Sequence, residues 1–285
     1  MNQVTTIPLH GLFGAEIAGA DAADPAAARV FVDAVGKWGL VLIRDVGFDD
    51  AGLARFAARF GPLQNMSGRT DARRDVIHVG NLGDDGRMKA ADDANRIRHD
   101  ANLLWHMDSS FLTPGATYSF LHGHIIPAEG GDTEFFDARV AWEALDADRQ
   151  GELAGLTADH SMLHSWRLVG VEMPDVSRAK MPPTARKLVR RHPPSGRGAL
   201  IIPSHVEQVE GLDYDQSQAL VGELMAVAAA PERIYRHRWR EGDLLIWDNR
   251  CILHRATPYR AFEEPRDLSS CRVLDLEDDG LAACA

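Results

Sequence analysis

The segment Trp105-His106-Met107-Asp108-Ser109-Ser110-Phe111 carries the residue types best suited to bind a metal ion. In an extended backbone, side chains two apart point to the same face, so His106 and Asp108 can present an imidazole and a carboxylate to one ion. A third ligand must come from elsewhere in the chain. The block Trp247-Asp248-Asn249-Arg250-Cys251-Ile252-Leu253-His254-Arg255 offers His254. Two histidines and one carboxylate leave three coordination positions open, the facial arrangement of non-haem iron(II) oxygenases.

A His-x-Asp triplet is weak on its own in a chain with 12 His. His205-Val206-Glu207 supplies the same ligand types and is a rival. The first set is favoured by the residues around it. Arg266 lies twelve residues beyond His254, and a guanidinium is a rigid fork that matches a carboxylate and stays charged. A dicarboxylic keto acid that chelates iron at one end needs such a group at the other. Thr133, in Gly130-Gly131-Asp132-Thr133-Glu134-Phe135, can share that role through its hydroxyl. A zinc hydrolase activating water with the same three ligands is the competing chemistry. It leaves Arg266 and Thr133 without a task.

The elements that must hold these residues are short strands. Thr117–Ile126, 133–136, 199–202, 233–239, Asp243–Trp247 and 270–276 read as strands separated by Pro and Gly, with a further strand at 39–44. Asp24 and Pro25 open a helix over 24–38 in which Ala27, Phe31, Ala34, Val35 and Trp38 recur at helical spacing. A second helix runs from about Asp50 to Phe60, closed by Gly61-Pro62. Helical insertions are expected near 138–155 and 214–229, and a mobile polar loop over 82–101. The pattern predicts one mainly β domain over 1–285 with peripheral helices.

The formal net charge of −11 disfavours nucleic acid and anionic membranes as partners. The first residues, Met1 to Leu12, lack the pattern of a secretory signal, and no apolar run reaches the ~20 residues of a bilayer span. Cys251, Cys271 and Cys284 suit neither a disulfide framework nor a zinc knuckle. A cytoplasmic location and a small-molecule substrate are expected.

These blocks, in this order, resemble the family of taurine and 2,4-dichlorophenoxyacetate dioxygenases, and more closely its phenoxyacetate branch. The resemblance runs from Pro8-Leu9-His10-Gly11-Leu12-Phe13 through Phe60-Gly61-Pro62-Leu63, the His106 and Thr133 blocks, His237-Arg238-Trp239 and the His254 block to Val273-Leu274-Asp275. It implies a double-stranded β-helix, a jelly-roll relative, and a homo-oligomer. It implies Fe(II) held by His106, Asp108 and His254, with 2-oxoglutarate and O2 as cosubstrates. Arg266, helped by Thr133, would take the distal carboxylate of 2-oxoglutarate. Asn102 matches a position lining the substrate side, and reads equally as a loop cap.

Two departures bear on the substrate. The branch places a second arginine a few residues after the cosubstrate arginine, to grip the substrate's acid group. Here the stretch is Arg266-Asp267-Leu268-Ser269-Ser270-Cys271-Arg272, with serines at that place. In a strand, Arg272 would share a face with Ser270, Leu268 and Arg266. It either restores anion binding from a shifted place or ends the strand. Related halogenases lack the carboxylate ligand; Asp108 keeps it, which argues against halogenation.

Overall fold

Short strands, three to ten residues long, form the framework of this chain. The computed structural model describes residues 3–67, 74–83, 85–89 and 100–277. Its strands are β1 (Thr5–Pro8), β2 (Ala15–Ala18), β3 (Leu40–Ile43), β4 (Val76–Gly80), β5 (Ala116–Ile125), β6 (Thr133–Asp137), β7 (Thr157–His160) and β8 (Thr184–Lys187). They continue as β9 (Val189–Arg191), β10 (Gly198–Leu200), β11 (Val206–Val209), β12 (Tyr235–His237), β13 (Leu244–Asp248), β14 (Ile252–Ala256) and β15 (Asp267–Leu274). The helices are α1 (Ala28–Trp38), α2 (Asp50–Ala57), α3 (Ala138–Glu143), α4 (Ala147–Leu153), α5 (Met162–Leu168), α6 (Asp175–Lys180) and α7 (Tyr214–Ala228).

A seven-stranded sheet runs β1-β2-β3-β13-β5-β15-β4, and a three-stranded sheet runs β12-β6-β14. The central strands are buried on both faces. On β3 and β13, Leu40, Leu42, Leu245 and Trp247 join one hydrophobic cluster with Phe135 and Phe136 of β6 and Ile252 and Leu253 of β14. Val41, Ile43, Leu244 and Ile246 join another with Phe31 and Val35 of α1 and Leu53 and Phe56 of α2. Leu268 of β15 belongs to the first cluster and Cys271 and Val273 to the second. Ser270 and Arg272 therefore point with Leu268 into the space between the two sheets.

The N-terminal helix opens as a 3-10 turn, Pro25–Ala27, whose amide at Ala26 donates to the Asp24 side chain. It ends at Gly39, where φ is +76° and a Cβ would stand 2.8 Å from Arg139 Nη2. Only glycine fits there. The helix expected over 138–155 is two helices, because the Asp146 side chain accepts from the Arg149 amide and caps a new start. The last strand begins at Asp267 rather than 270. Residues 84 and 90–99 of the loop expected over 82–101, and Cys284, lie outside the described residues. No helix among the described residues is long and apolar enough to cross a membrane.

A charged clamp fastens α2 and β4 to β15. His78 meets Asp267 at 2.7 Å through Nδ1 and Asp50 at 3.0 Å through Nε2. Hydrogen bonding to Asp267, then to Asp50, raises its pKa to about 9 against the cost of burial. A raised histidine stabilises the fold fully below its unfolded value of 6.5 and loses that contribution as pH rises through about 9. The expected outcome is that His78→Gln lowers the melting temperature at pH 7, and that the deficit is gone by about pH 10. Thermal melts of both proteins across that range check it.

Candidate metal centre

Backbone pairing brings the two histidines together. The His106 amide donates to His254 O at 2.9 Å and the His254 amide to His106 O at 3.0 Å, an antiparallel bridge that sets the ring centroids 4.1 Å apart. β14 places His254 opposite Phe135 of β6, whose ring lies 5.9 Å away and nearly parallel. Trp247 packs on the other flank at 4.5 Å. Asp108 follows where the chain turns; Ser109 takes φ +58°, and the Asp108 amide donates to Asn249 Oδ1 at 3.3 Å.

One ligand atom from each of His106, Asp108 and His254 lies within 4.8 Å of the others. His254 Nε2 stands 3.9 Å from Asp108 Oδ2. All three residues are buried, at 9%, 8% and 6% exposure. His106 Nδ1 donates to Leu104 O at 2.8 Å, which fixes the tautomer and turns the Nε2 lone pair to the site. Burial lowers the pKa of His106 and pushes His254 well down. For Asp108, burial acts to raise the pKa. The charge of Arg272 and a hydrogen bond from Ser119 outweigh it and hold the carboxyl below its usual range. Two neutral imidazoles and one carboxylate are the protonation states a metal needs, and an N,N,O set with open positions fits iron(II).

Arg266 is buried immediately before β15. Its Nε and Nη2 donate to Gly131 O at 3.2 and 3.0 Å, Nη1 reaches Val79 O at 3.4 Å, and the Tyr259 ring lies 5.8 Å off. Gly131, at φ +66°, has no Cβ to strike Pro127 at 2.9 Å or Arg266 Nε at 3.2 Å. No carboxylate pairs with this guanidinium among the described residues. Burial pushes its pKa down to about 10, which leaves it charged at neutral pH. Thr133 sits two residues along β6 from Phe135, on the same inner face. Its Oγ1 accepts from Trp239 Nε1 at 3.0 Å, so its own hydroxyl hydrogen is left to donate.

Residues 5–272 match the family described as taurine catabolism dioxygenase TauD, TfdA family. The chain belongs to this family. An alpha-ketoglutarate-dependent 2,4-dichlorophenoxyacetate dioxygenase of Cupriavidus pinatubonensis is 37% identical over 282 residues, covering 95% of this chain and 98% of that protein. An (S)-phenoxypropionate/alpha-ketoglutarate-dioxygenase of Sphingobium herbicidovorans is 32% identical over 264 residues, covering 88% of each. Among solved structures, AAD-2 in complex with Mn(II) and N-oxalylglycine superposes with a TM-score of 0.89 at 30% identity, over 95% of this chain and 97% of that one. The chain is thus an oxidoreductase of the 2-oxoglutarate-dependent dioxygenase class, with Fe(II), 2-oxoglutarate and O2 as its cofactor and cosubstrates. The zinc-hydrolase alternative finds no support in these relatives.

Elsewhere in this dioxygenase, the rival ligand pair separates. His205 Nδ1 is bonded to Ser110 Oγ at 2.8 Å, while Glu207 pairs with Arg178 at 2.8 Å. A second metal-capable group, His192, Asp248 and Cys251, is also buried. There Arg250 grips Asp248 at 2.6 Å, Arg139 Nη1 lies 3.3 Å from His192, and burial pushes the Cys251 thiol well up. Two guanidiniums beside a protonated thiol repel a further cation. That network ties down the β13–β14 turn.

The remaining site candidates lie on the elements that frame the triad. Asn102 is half-buried, and its carbonyl accepts from the Ala256 amide at 2.8 Å at the end of β14. Ser270 is buried on the inner face of β15, between Leu121 of β5 and Ile77 of β4. Arg272 donates from Nη2 to Asp108 Oδ1 at 2.6 Å. A cavity of about 440 Å³ also touches Asp108, lined by Arg186, Arg190, Asn249 and Arg250, but neither His106, His254 nor Arg266 faces it.

Sequence reasoning missed Ser119 and Asn249. Ser119 Oγ donates to Asp108 Oδ2 at 2.7 Å, Asn249 Nδ2 donates to Ser119 Oγ at 2.8 Å, and Trp247 Nε1 donates to Asn249 Oδ1 at 3.0 Å. The one available signal was a hydroxyl at an inward position of the apolar strand Tyr118-Ser119-Phe120.

His106→Ala and His254→Ala are each expected to weaken Mn2+ or Fe2+ binding by more than about 100-fold, since loss of an outer partner alone costs about 10–100-fold. Calorimetric titration of the metal-free variants checks this; wild-type affinity in either would remove that residue from the ligand set.

Proposed function

We propose that His106, Asp108 and His254 hold Fe(II), and that Arg266 and Thr133 bind the distal carboxylate of 2-oxoglutarate. A small organic substrate is then hydroxylated or otherwise oxidised, with release of succinate and CO2. The observation that carries this reading is Arg266. A buried guanidinium whose bonds go only to carbonyls, immediately before the strand that also reaches Asp108, is suited to a dicarboxylate's far end.

Iron supplies the reduction of O2 coupled to oxidative decarboxylation of the keto acid. The chain's own residues position and exclude. Arg266 and Thr133 fix the cosubstrate at one end, the neutral imidazoles of His106 and His254 and the Asp108 carboxylate fix the metal at the other. Phe135 and Trp247 close the flanks of His254 against water.

Asn102 and Ser270 are proposed to line the substrate side, with the Arg272 side chain beside them. Serine at 270 cannot make the bidentate grip of a guanidinium, which argues against phenoxyacetate as the natural substrate. The strands are read as a double-stranded β-helix, and the whole chain, 1–285, as one catalytic domain with helical insertions near 138–155 and 214–229. A homo-oligomer in the cytoplasm completes the proposal.

Arg266→Ala is expected to weaken 2-oxoglutarate binding to the Mn2+-loaded enzyme by at least about 30-fold, the equivalent of 2 kcal/mol or more for a lost buried charge pair. Unchanged cosubstrate affinity would move the carboxylate clamp elsewhere. In a succinate-release screen of small acids and natural-product intermediates, at least one compound is expected to stimulate turnover of the iron-loaded enzyme well above its uncoupled rate.

A further inference from the structure

Asp108 is held from two sides by a row of residues running straight across the large sheet. Trp247 of β13 pairs with Ser119 of β5, and Ser119 pairs with Arg272 of β15. Ser119 and Arg272 each donate one hydrogen bond to the same carboxylate. The hydroxyl goes to Oδ2 at 2.7 Å and the guanidinium to Oδ1 at 2.6 Å. The two oxygens are not equivalent. Oδ2 faces the ligand imidazole, 3.9 Å from His254 Nε2, whereas Oδ1 is engaged by a full positive charge.

A carboxylate can bind a metal through one oxygen or two, and the difference decides how many positions stay open. A facial set with a one-handed carboxylate keeps three. A chelating keto acid takes two of them and O2 needs the third. If Asp108 closed on the ion with both oxygens, one of those positions would be lost.

We propose that Arg272 is a positioning residue that caps Oδ1 of Asp108 and so restricts it to one metal bond, through Oδ2. Ser119 cannot do this, because its bond is to the oxygen that faces the metal. Arg272 takes a single bond to Asp108 although a guanidinium edge offers two; its Nε is buried and makes no hydrogen bond among the described residues. The side-on edge used by Arg139 on Asp137 and by Arg250 on Asp248 is thus half-used here, because Oδ2 is turned away to Ser119 and the metal side. The role rests on the assignment of Asp108 as an iron ligand.

The test separates metal binding from cosubstrate binding, with Mn2+ alone as the first probe and 2-oxoglutarate on the Mn2+-loaded enzyme as the second. In Arg272→Met, Mn2+ is expected to bind at least as tightly as in wild type, since Asp108 gains a second bond and a repelling cation is gone. 2-Oxoglutarate should bind at least about tenfold more weakly, for want of its second position, a change of about 1.4 kcal/mol. In Arg272→Lys, Oδ1 stays covered, and 2-oxoglutarate affinity should remain within about threefold of wild type. Wild-type cosubstrate affinity in Arg272→Met overturns the proposal. So does a parallel loss of Mn2+ and 2-oxoglutarate affinity, which would make Arg272 a support for the shape of the site. If the Met variant does not fold, a tenfold loss of 2-oxoglutarate affinity in Arg272→Lys overturns it equally. Failure of wild type itself to bind Mn2+ would instead sink the metal assignment.

Discussion

The site depends on keeping one carboxylate charged where little water reaches it. Moving an isolated carboxylate into such a place costs several kcal/mol, and the usual outcome is that it takes up a proton. Asp108 stays ionised because the sheet delivers a cation to one oxygen and a hydroxyl to the other, while two imidazoles crowd the same space. Much of the architecture serves that compensation. β5, β13 and β15 must lie side by side in one register for Trp247, Ser119 and Arg272 to form a row. A one-residue slip of any of these strands would turn its member of the row away to the helix side.

The histidines are positioned by a different device. His106 and His254 exchange backbone hydrogen bonds, so the relative height of the two rings is set by main chain rather than by side-chain packing. Leu104 O and the flanking Phe135 and Trp247 rings then fix their rotation. The ligand set is therefore formed by the fold itself. This is why a triad whose histidines lie 148 positions apart, at 106 and 254, can be assembled without a dedicated loop.

Much of this was legible in the sequence, for identifiable reasons. The alternation His106-x-Asp108 encodes a shared face, and the run Leu40–Ile43 encodes a strand buried on both sides. Arg266 stood out because a guanidinium at that distance from His254 has a chemical purpose. Polar positions were less readable. The inner face of β15 reads Leu268, Ser270, Arg272, a pattern with too few apolar residues to announce its strand's true start at Asp267. β14 was not expected as a strand at all, since Cys251-Ile252-Leu253-His254 follows a turn and shows no alternation. Asp146 looked like one more helical residue until its cap split the helix. Between His205 and Glu207, only the third dimension shows that their partners are Ser110 and Arg178.

Arg266 has a consequence for the protein at rest. Its guanidinium is supported by carbonyl oxygens and an aromatic ring, with no counter-ion among the described residues, and Gly131 leaves space against it. A buried cation held in this way is an energetic liability in the free enzyme. On the proposed clamp role of Arg266, a bound dicarboxylate relieves that liability and adds to the enzyme's stability by mass action.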